Sequence, residues 1–382
     1  MLHRLLARLP AGARNLLKRI PGAAQLRDRL YGHPSGPAPS RGSLRPVVYL
    51  PTWLQWEVMK QRPQYLLEAM AAAGHEVWFV DPRLRTDQTL ADHIHLVRWL
   101  KATPRSGVIL YTHFAPTQTL IDRYEDRVVI YDLLDDLAIY EPNEQGMPAE
   151  RTVRHHHRPL VEEADVVIAS SPVLLERHRA EREDLVLVEN GVDLDRFTMT
   201  GPVARSLADG PVVGFHGALA SWIDFELLDA VIRLRPALQF VFVGPVDPLV
   251  KREAAELAAL PNVHVLPAQP SDRIAEFVRG FRVGILPFVI DEMTDAVTPL
   301  KMYEYLASGV PVVATPLPAC ARHPAVQTAS DAHSFAGGID DALEMPPEER
   351  AGLRAYSEEA NWKQRVVPVL ERLDQSGLRT VP

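Results

Sequence analysis

The chain holds one cysteine, Cys320, among 382 residues, so no intrachain disulfide can form and a thiolate metal cluster within one chain is excluded. Such sparse cysteine fits a reducing cytoplasm. Long apolar runs are missing too: nowhere do about 18 apolar residues follow one another, and the N-terminus lacks a long apolar core followed by a cleavage site. A spanning or clearly secreted chain is not expected. No G-x-S-x-G, H-E-x-x-H or P-loop pattern occurs, which weakens hydrolase, zinc-protease and ATPase readings. Positive charge is concentrated in one place. Residues 1 to 46 hold nine Lys or Arg against Asp28 alone, a surplus of +8, while the whole chain carries -8, leaving -16 on the body. Such a body is a poor partner for nucleic acid, whose phosphates need a basic face.

At 382 residues, with 47% hydrophobic and 24% charged composition, the chain suits two α/β domains of roughly 150 to 200 residues. In residues 1 to 30, Leu2, Leu5, Leu6 and Leu9 share one helical face while Arg4 and Arg8 point elsewhere. This basic amphipathic pattern is suited to an anionic membrane surface, or to a solvated tail. Pro10 and Pro21 divide it, and residues 32 to 46, rich in Gly, Pro and Ser, read as a flexible linker.

Beyond Arg45, short β-branched runs alternate with helical patterns: VVYL, EVWFVD, GVILYT, VVIYDLL, DVVIASS and LVLVEN, then from Val212 VVGFHG, FVFVG, VHVLP, VGILP and VPVVAT. The alternation predicts two Rossmann-like, doubly wound parallel sheets. Residues 190 to 211 lack a periodic apolar face and read as the hinge. The expected division is tail and linker over 1–45, an N-terminal Rossmann-like domain over 46–198, a C-terminal Rossmann-like domain over 199–360, and an amphipathic helix over 361–382.

The segment TPLKMYEYL carries a helix-start signature, with Thr298 as N-cap, Pro299 at the first position and Lys301 in the first turn. A helix N-terminus with a lysine suits a diphosphate, and Glu304, three residues on, could hold both hydroxyls of a ribose. The plainer alternative is a surface ion pair worth a few tenths of a kcal/mol. Gly214 and Gly217 stand where a strand turns towards a helix, letting a phosphate approach backbone, although G-x-G-x-x-G is absent. Asp132, Asp135 and Asp136 follow a strand end, where Asp135 or Asp136 could take a proton from an acceptor hydroxyl, or act as a helix cap and a solvated acid. His113 ends another strand and is a second base candidate. Trp53, Trp56 and Arg62 are expected at the cleft mouth, the aromatics for sugar rings or for packing, Arg62 for an anion. His155, His156 and His157 read as a solvated helix face, and no metal site is expected.

Taken together, QRPQYLLEAMAAAGHEVWFVDP, VVIYDLLDDL, ENGVDLDRF, VVGFHGALASWIDFELL and TPLKMYEYLASGVPVVAT resemble the GT-B glycosyltransferases, and more closely the bacterial subgroup for surface and cell-wall polysaccharides of the teichuronic-acid type. The resemblance spans about residues 46 to 376. It implies two Rossmann-like domains across a cleft, a nucleotide-sugar donor (UDP- or GDP-linked) on the C-terminal one, a glycan or lipid-linked acceptor on the N-terminal one, and neither metal nor cofactor. Glu304 matches the ribose-binding glutamate of that family. Retaining members carry E-x7-E, and here Ala296 stands eight residues before Glu304, with Asp295 beside it. A hexosyltransferase at the inner face of the membrane is therefore expected; a nucleotide-sugar epimerase and a non-catalytic partner of the same fold are the alternatives.

Overall fold

In the computed structural model the described residues are 31–52, 54–56, 60–90, 93–136, 149–204 and 210–382, with side chains of 149–155 left aside. Two sheets organise them. The first contains β1 (Val47–Tyr49), β2 (Val77–Val80), β3 (Gln88–Leu90), β4 (Ile94–Val97), β5 (Ser106–Thr112), β6 (Glu125–Leu133), β7 (Val166–Ala169) and β8 (Val186–Leu187). Their spatial order is β3-β4-β2-β1-β5-β6-β7-β8, with β3 alone antiparallel. The second contains β9 (Val212–His216), β10 (Gln239–Val243), β11 (Val263–Leu266), β12 (Val283–Leu286), β13 (Val312–Ala314) and β14 (Val326–Thr328), ordered β11-β10-β9-β12-β13-β14 and parallel throughout.

The central strands are apolar on both faces because helices cover both sides. Val47, Ile109 and Ile130 of the first sheet face one buried cluster, and Val48, Leu110 and Tyr131 face another. Every strand run expected from the sequence is present; β3, β4 and β14 are additional. In each sheet the chain reverses its direction of travel beside the first strand, β1 or β9, and the crevice outside the strand ends there is where doubly wound sheets bind ligands.

The ends of the chain pack onto the first sheet. Residues 32 to 46, expected as a flexible linker, instead lie against it: Gly36 N donates to Thr103 O at 2.9 Å, Leu44 bridges to Thr380, and buried Arg45 pairs with Asp126 at 2.9 Å. Gly36 serves close backbone approach, since a Cβ there would fall 2.8 Å from Thr103 O. After the second sheet, the helices Trp362–Arg365 and Val367–Gln375 bury Trp362, Val369 and Leu373 in the core of the first. The Trp362 indole stacks on Tyr65 with centroids 5.3 Å apart. Burying a large side chain in this way contributes about 2–3 kcal/mol, so the two sheets are tied by packing as well as by the connecting segment at 190–211. Residues 1 to 30 lie outside the described residues, as does their expected amphipathic helix.

Candidate active site

A cavity of ≈ 370 Å³ opens between the sheets. Lys60, Arg62, Tyr65, Asp135 and Asn190 form one wall, and His216, Gly217, Trp222, Gly244, Thr298, Lys301 and Glu304 the other. The helix Leu300–Ala307 supplies the second wall's charges. It starts one residue later than the sequence suggested: Pro299 is the cap and makes no side-chain cap bond. Thr298 therefore does not cap the helix. Its buried hydroxyl finds no hydrogen-bond partner among the described residues, and its carbonyl accepts from Asn190 Nδ2 at 2.6 Å.

Lys301 reaches over the loop at Gly217, whose φ of 126° favours glycine. A Cβ there would fall 2.3 Å from Lys301 Cε, so glycine leaves room for the lysine. Its ammonium lies 5.5 Å from the Phe215 ring centroid and makes no hydrogen bond or ion pair among the described residues. Burial lowers its pKa from the usual lysine range, opposed by the nearby Glu304. Such a cation lacks an anion. Glu304 is buried, with Oε2 3.0 Å from His216 Nε2 but out of line for a hydrogen bond. Carboxylate and imidazole thus keep capacity for a ligand's hydroxyls.

Gly214 does not belong to this site. It lies within β9 with the Phe281 ring against it, 2.2 Å from where a Cβ would stand, so its role is packing. Gly244, which the sequence reading passed over, matters more: its α-carbon abuts Gly217 O, which a Cβ would approach to 2.0 Å. The two glycines let adjacent strand-end loops form the cavity floor.

On the opposite wall, β6 carries Asp132 into the interior. Its Oδ2 accepts from Arg62 Nε at 2.9 Å and from Tyr111 OH at 2.6 Å, and both Arg62 and Asp132 are fully buried. Arg62 Nη1 then donates to Asn190 Oδ1 at 3.3 Å, and Asn190 Nδ2 to Thr298 O. Arg62 was expected to meet a ligand anion; its charge is instead neutralised by Asp132, which makes it a positioning group. Asp136 is not a free base either, because its buried carboxylate pairs with Arg177 Nη1 at 2.6 Å.

Asp135 alone of the three acids lines the cavity. Its surface is exposed on the side where it lines the cavity. Desolvation there, reinforced by Asp132 and Asp136, raises its carboxyl to about 6. His113 stands apart from the cavity: it is buried, its Nδ1 is 3.0 Å from Tyr49 OH, and burial lowers it to about 4. It serves the core as a neutral imidazole. Trp56 packs edge-on against Phe79 at 5.2 Å and is absent from the lining, while Trp53 lies outside the described residues. The exposed aromatic in the cavity wall is Trp222. Asp295, in a short turn at Thr294–Ala296, does not reach the lining, though Thr294 and Val297 do. Two of the three histidines are not a solvated face: His157 is buried with Nδ1 2.7 Å from Tyr131 OH, and His156 Nδ1 lies 2.6 Å from Gln118 Oε1, while the His155 side chain lies outside the described residues.

The chain is similar in sequence and fold to known proteins. Residues 210–345 match the family described as glycosyl transferases group 1. That glycosyl transferase segment contains Gly217, Trp222, Lys301 and Glu304. TuaH of Bacillus subtilis (strain 168), named for teichuronic acid biosynthesis as a glycosyltransferase, is 30% identical over 206 residues, which cover 51% of this chain and 52% of TuaH. The chain thus spans about half the length of this curated relative. Among solved structures, sucrose-phosphate synthase from Thermosynechococcus elongatus has 18% identity and a TM-score of 0.61, covering 87% of this chain and 98% of its own. Anabaena HepE in complex with UDP-glucose has 15% identity and a TM-score of 0.60, covering 88% and 100%. The fold is GT-B, two parallel-sheet α/β domains, as the sequence resemblance implied.

The buried His113 makes stability dependent on pH. Its folded value of about 4 lies below the ordinary 6.5, so its neutral form stabilises the fold fully above about pH 6.5, and this contribution is lost as pH falls towards 4. Replacing it should flatten that decline: His113→Gln is expected to show a smaller loss of urea midpoint between pH 7 and pH 5 than the wild type. Parallel pH dependence in the two proteins would contradict the assignment.

Proposed function

We propose that the chain is a glycosyltransferase that moves a hexosyl group from a UDP- or GDP-activated donor to a hydroxyl of a glycan or lipid-linked acceptor in surface polysaccharide synthesis. One observation carries this: in a single cavity, Lys301 without an anion and Glu304 with open acceptor capacity face Asp135, a carboxylate raised to about 6. Cation, hydroxyl acceptor and base are the three groups such a transfer needs. The group 1 match, the name of TuaH and the UDP-glucose complex of HepE support the same reading.

In this reading Lys301 and the backbone N–H groups at the start of its helix take the donor diphosphate. The Thr298 hydroxyl, lacking a partner, is available to the same ligand. Glu304 accepts from the ribose hydroxyls. The bond from the anomeric carbon to the diphosphate oxygen breaks with its electron pair leaving on the diphosphate, and the acceptor oxygen bonds to that carbon. Asp135 takes the acceptor's proton. Trp222 offers a flat apolar face to a sugar ring. The cation here balances the diphosphate in the role that a divalent metal or cofactor would otherwise fill, so neither is assigned. No observation favours the epimerase or the non-catalytic alternative.

The donor assignment is tested by calorimetric titration with UDP and with GDP in metal-free buffer. One nucleotide should bind at micromolar Kd, and Glu304→Ala should weaken it by roughly tenfold to a hundredfold, the range for a lost pair of hydrogen bonds to a charged group. Unchanged affinity in the variant would remove Glu304 from the site. We also assign residues 1–30 to an anionic membrane surface, on their basic amphipathic pattern. The full chain should sediment with anionic vesicles and a chain lacking residues 2–30 should not; equal sedimentation would refute that assignment.

A further inference from the structure

β6 ends at Leu133, and the residues on either side of Asp135, Leu134 and Asp136, are held as the chain leaves the sheet. Ser170 Oγ donates to Leu134 O at 2.9 Å and Ser170 N to Leu133 O at 3.1 Å. Asp135 follows, and then Asp136, whose carboxylate is buried and whose neutralising cation is Arg177. Arg177 stands on the helix Pro172–His178, which is capped by Ser171 Oγ accepting from Leu174 N at 3.2 Å. The same Nη1 that pairs with Asp136 also donates to Glu292 O at 2.9 Å, across the interdomain boundary. Glu292 precedes Met293, Thr294, Val297 and Thr298, all in the cavity wall, and the helix Leu300–Ala307 that carries Lys301 and Glu304. One guanidinium nitrogen thus ties the base's neighbour to the donor-side segment.

Resting on the transfer reading above, we propose that Arg177 is a positioning residue for the transfer: by holding Asp136 and the Glu292 carbonyl together, it sets Asp135 against the donor's anomeric carbon and screens it from the charge of Asp136. Arg177 does not line the cavity. Asp132 and Asp136 act on Asp135 from its own strand end; Lys60 and Arg62 from the first wall and His216, Lys301 and Glu304 from the second line the same cavity; and Arg177, from the helix at 172–178, bears on it through Asp136. His157, from the helix Ala149–Glu163, lies near Asp136. Removing Arg177 leaves the charge of Asp136 uncompensated next to Asp135. A like charge so close disfavours the ionised base.

The test compares wild type with Arg177→Met and Arg177→Lys under single-turnover conditions, following release of UDP from UDP-glucose or GDP from GDP-mannose with pH, alongside nucleotide affinity and thermal unfolding. In Arg177→Met the rate at saturating donor should fall roughly tenfold to a hundredfold, the scale for a misplaced reacting group. Its acid limb should move up by roughly one pH unit, while nucleotide affinity stays within about twofold. Arg177→Lys, which keeps a cation, should restore most of both. A rate loss in proportion to lost folded protein, with the acid limb unmoved, would reduce Arg177 to a structural tie. Wild-type rates and pH dependence in Arg177→Met would overturn the inference outright, leaving the transfer reading standing. A wild type that leaves both donors intact would overturn the transfer reading and this inference together.

Discussion

The buried ion pair of Arg62 and Asp132 is the contact from which the active cleft is built. Burying two charges is expensive, and such a pair is seldom the most stable way to fill a core, whereas losing one partner typically costs about 3–5 kcal/mol. Its value here is positional. Asp132 is fixed by Arg62 and Tyr111, so the residues that follow it leave β6 on a set course and deliver Asp135 to the cavity. Arg62 in turn holds Asn190, at the beginning of the connecting segment, and Asn190 holds the carbonyl just before the helix of Lys301 and Glu304. A single chain of hydrogen bonds therefore runs from the core of one sheet to the ligand-facing helix of the other.

Backbone contact shapes the cavity as much as side chains do. Gly217 and Gly244 meet where the loops after β9 and β10 cross, and neither place has room for a Cβ. Their contact lets Lys301 lie across the first loop. The floor is thus closely packed and carries the Lys301 cation, and a floor already ordered would spare a ligand some of the entropy of ordering it.

The fold was legible because strands buried on both faces leave unmistakable apolar runs, and all eleven runs became strands. What escaped were β3 and β14, three-residue edge strands with no buried side chain to mark them, and β4, whose buried run is broken by the half-buried His95. The site was half legible. Lys301, Glu304, Gly217 and Asp135 line the cavity because their positions near strand and helix ends dictate it, whereas Asp136 and His113 share that local pattern and yet are consumed by Arg177 and Tyr49, and Gly214 lies inside β9 against Phe281. Local sequence gives the address of a side chain but not its partner, which here lies more than 40 residues away in each case. Asn190 and His216 could have been suspected, since both stand at ends of strand runs; Lys60 and Trp222 carried no such signal. The ordered course of residues 32–46 also depends on distant partners, Thr103 and Thr380 among them.

The central claim is that this cleft holds a nucleotide sugar between Lys301 with Glu304 and Asp135. A crystal structure with a bound UDP- or GDP-sugar tests it most directly. The diphosphate should rest against Lys301 at the start of its helix, the ribose hydroxyls on Glu304, and the anomeric carbon should face Asp135. A nucleotide seated elsewhere, with Lys301 still lacking an anion, would contradict it.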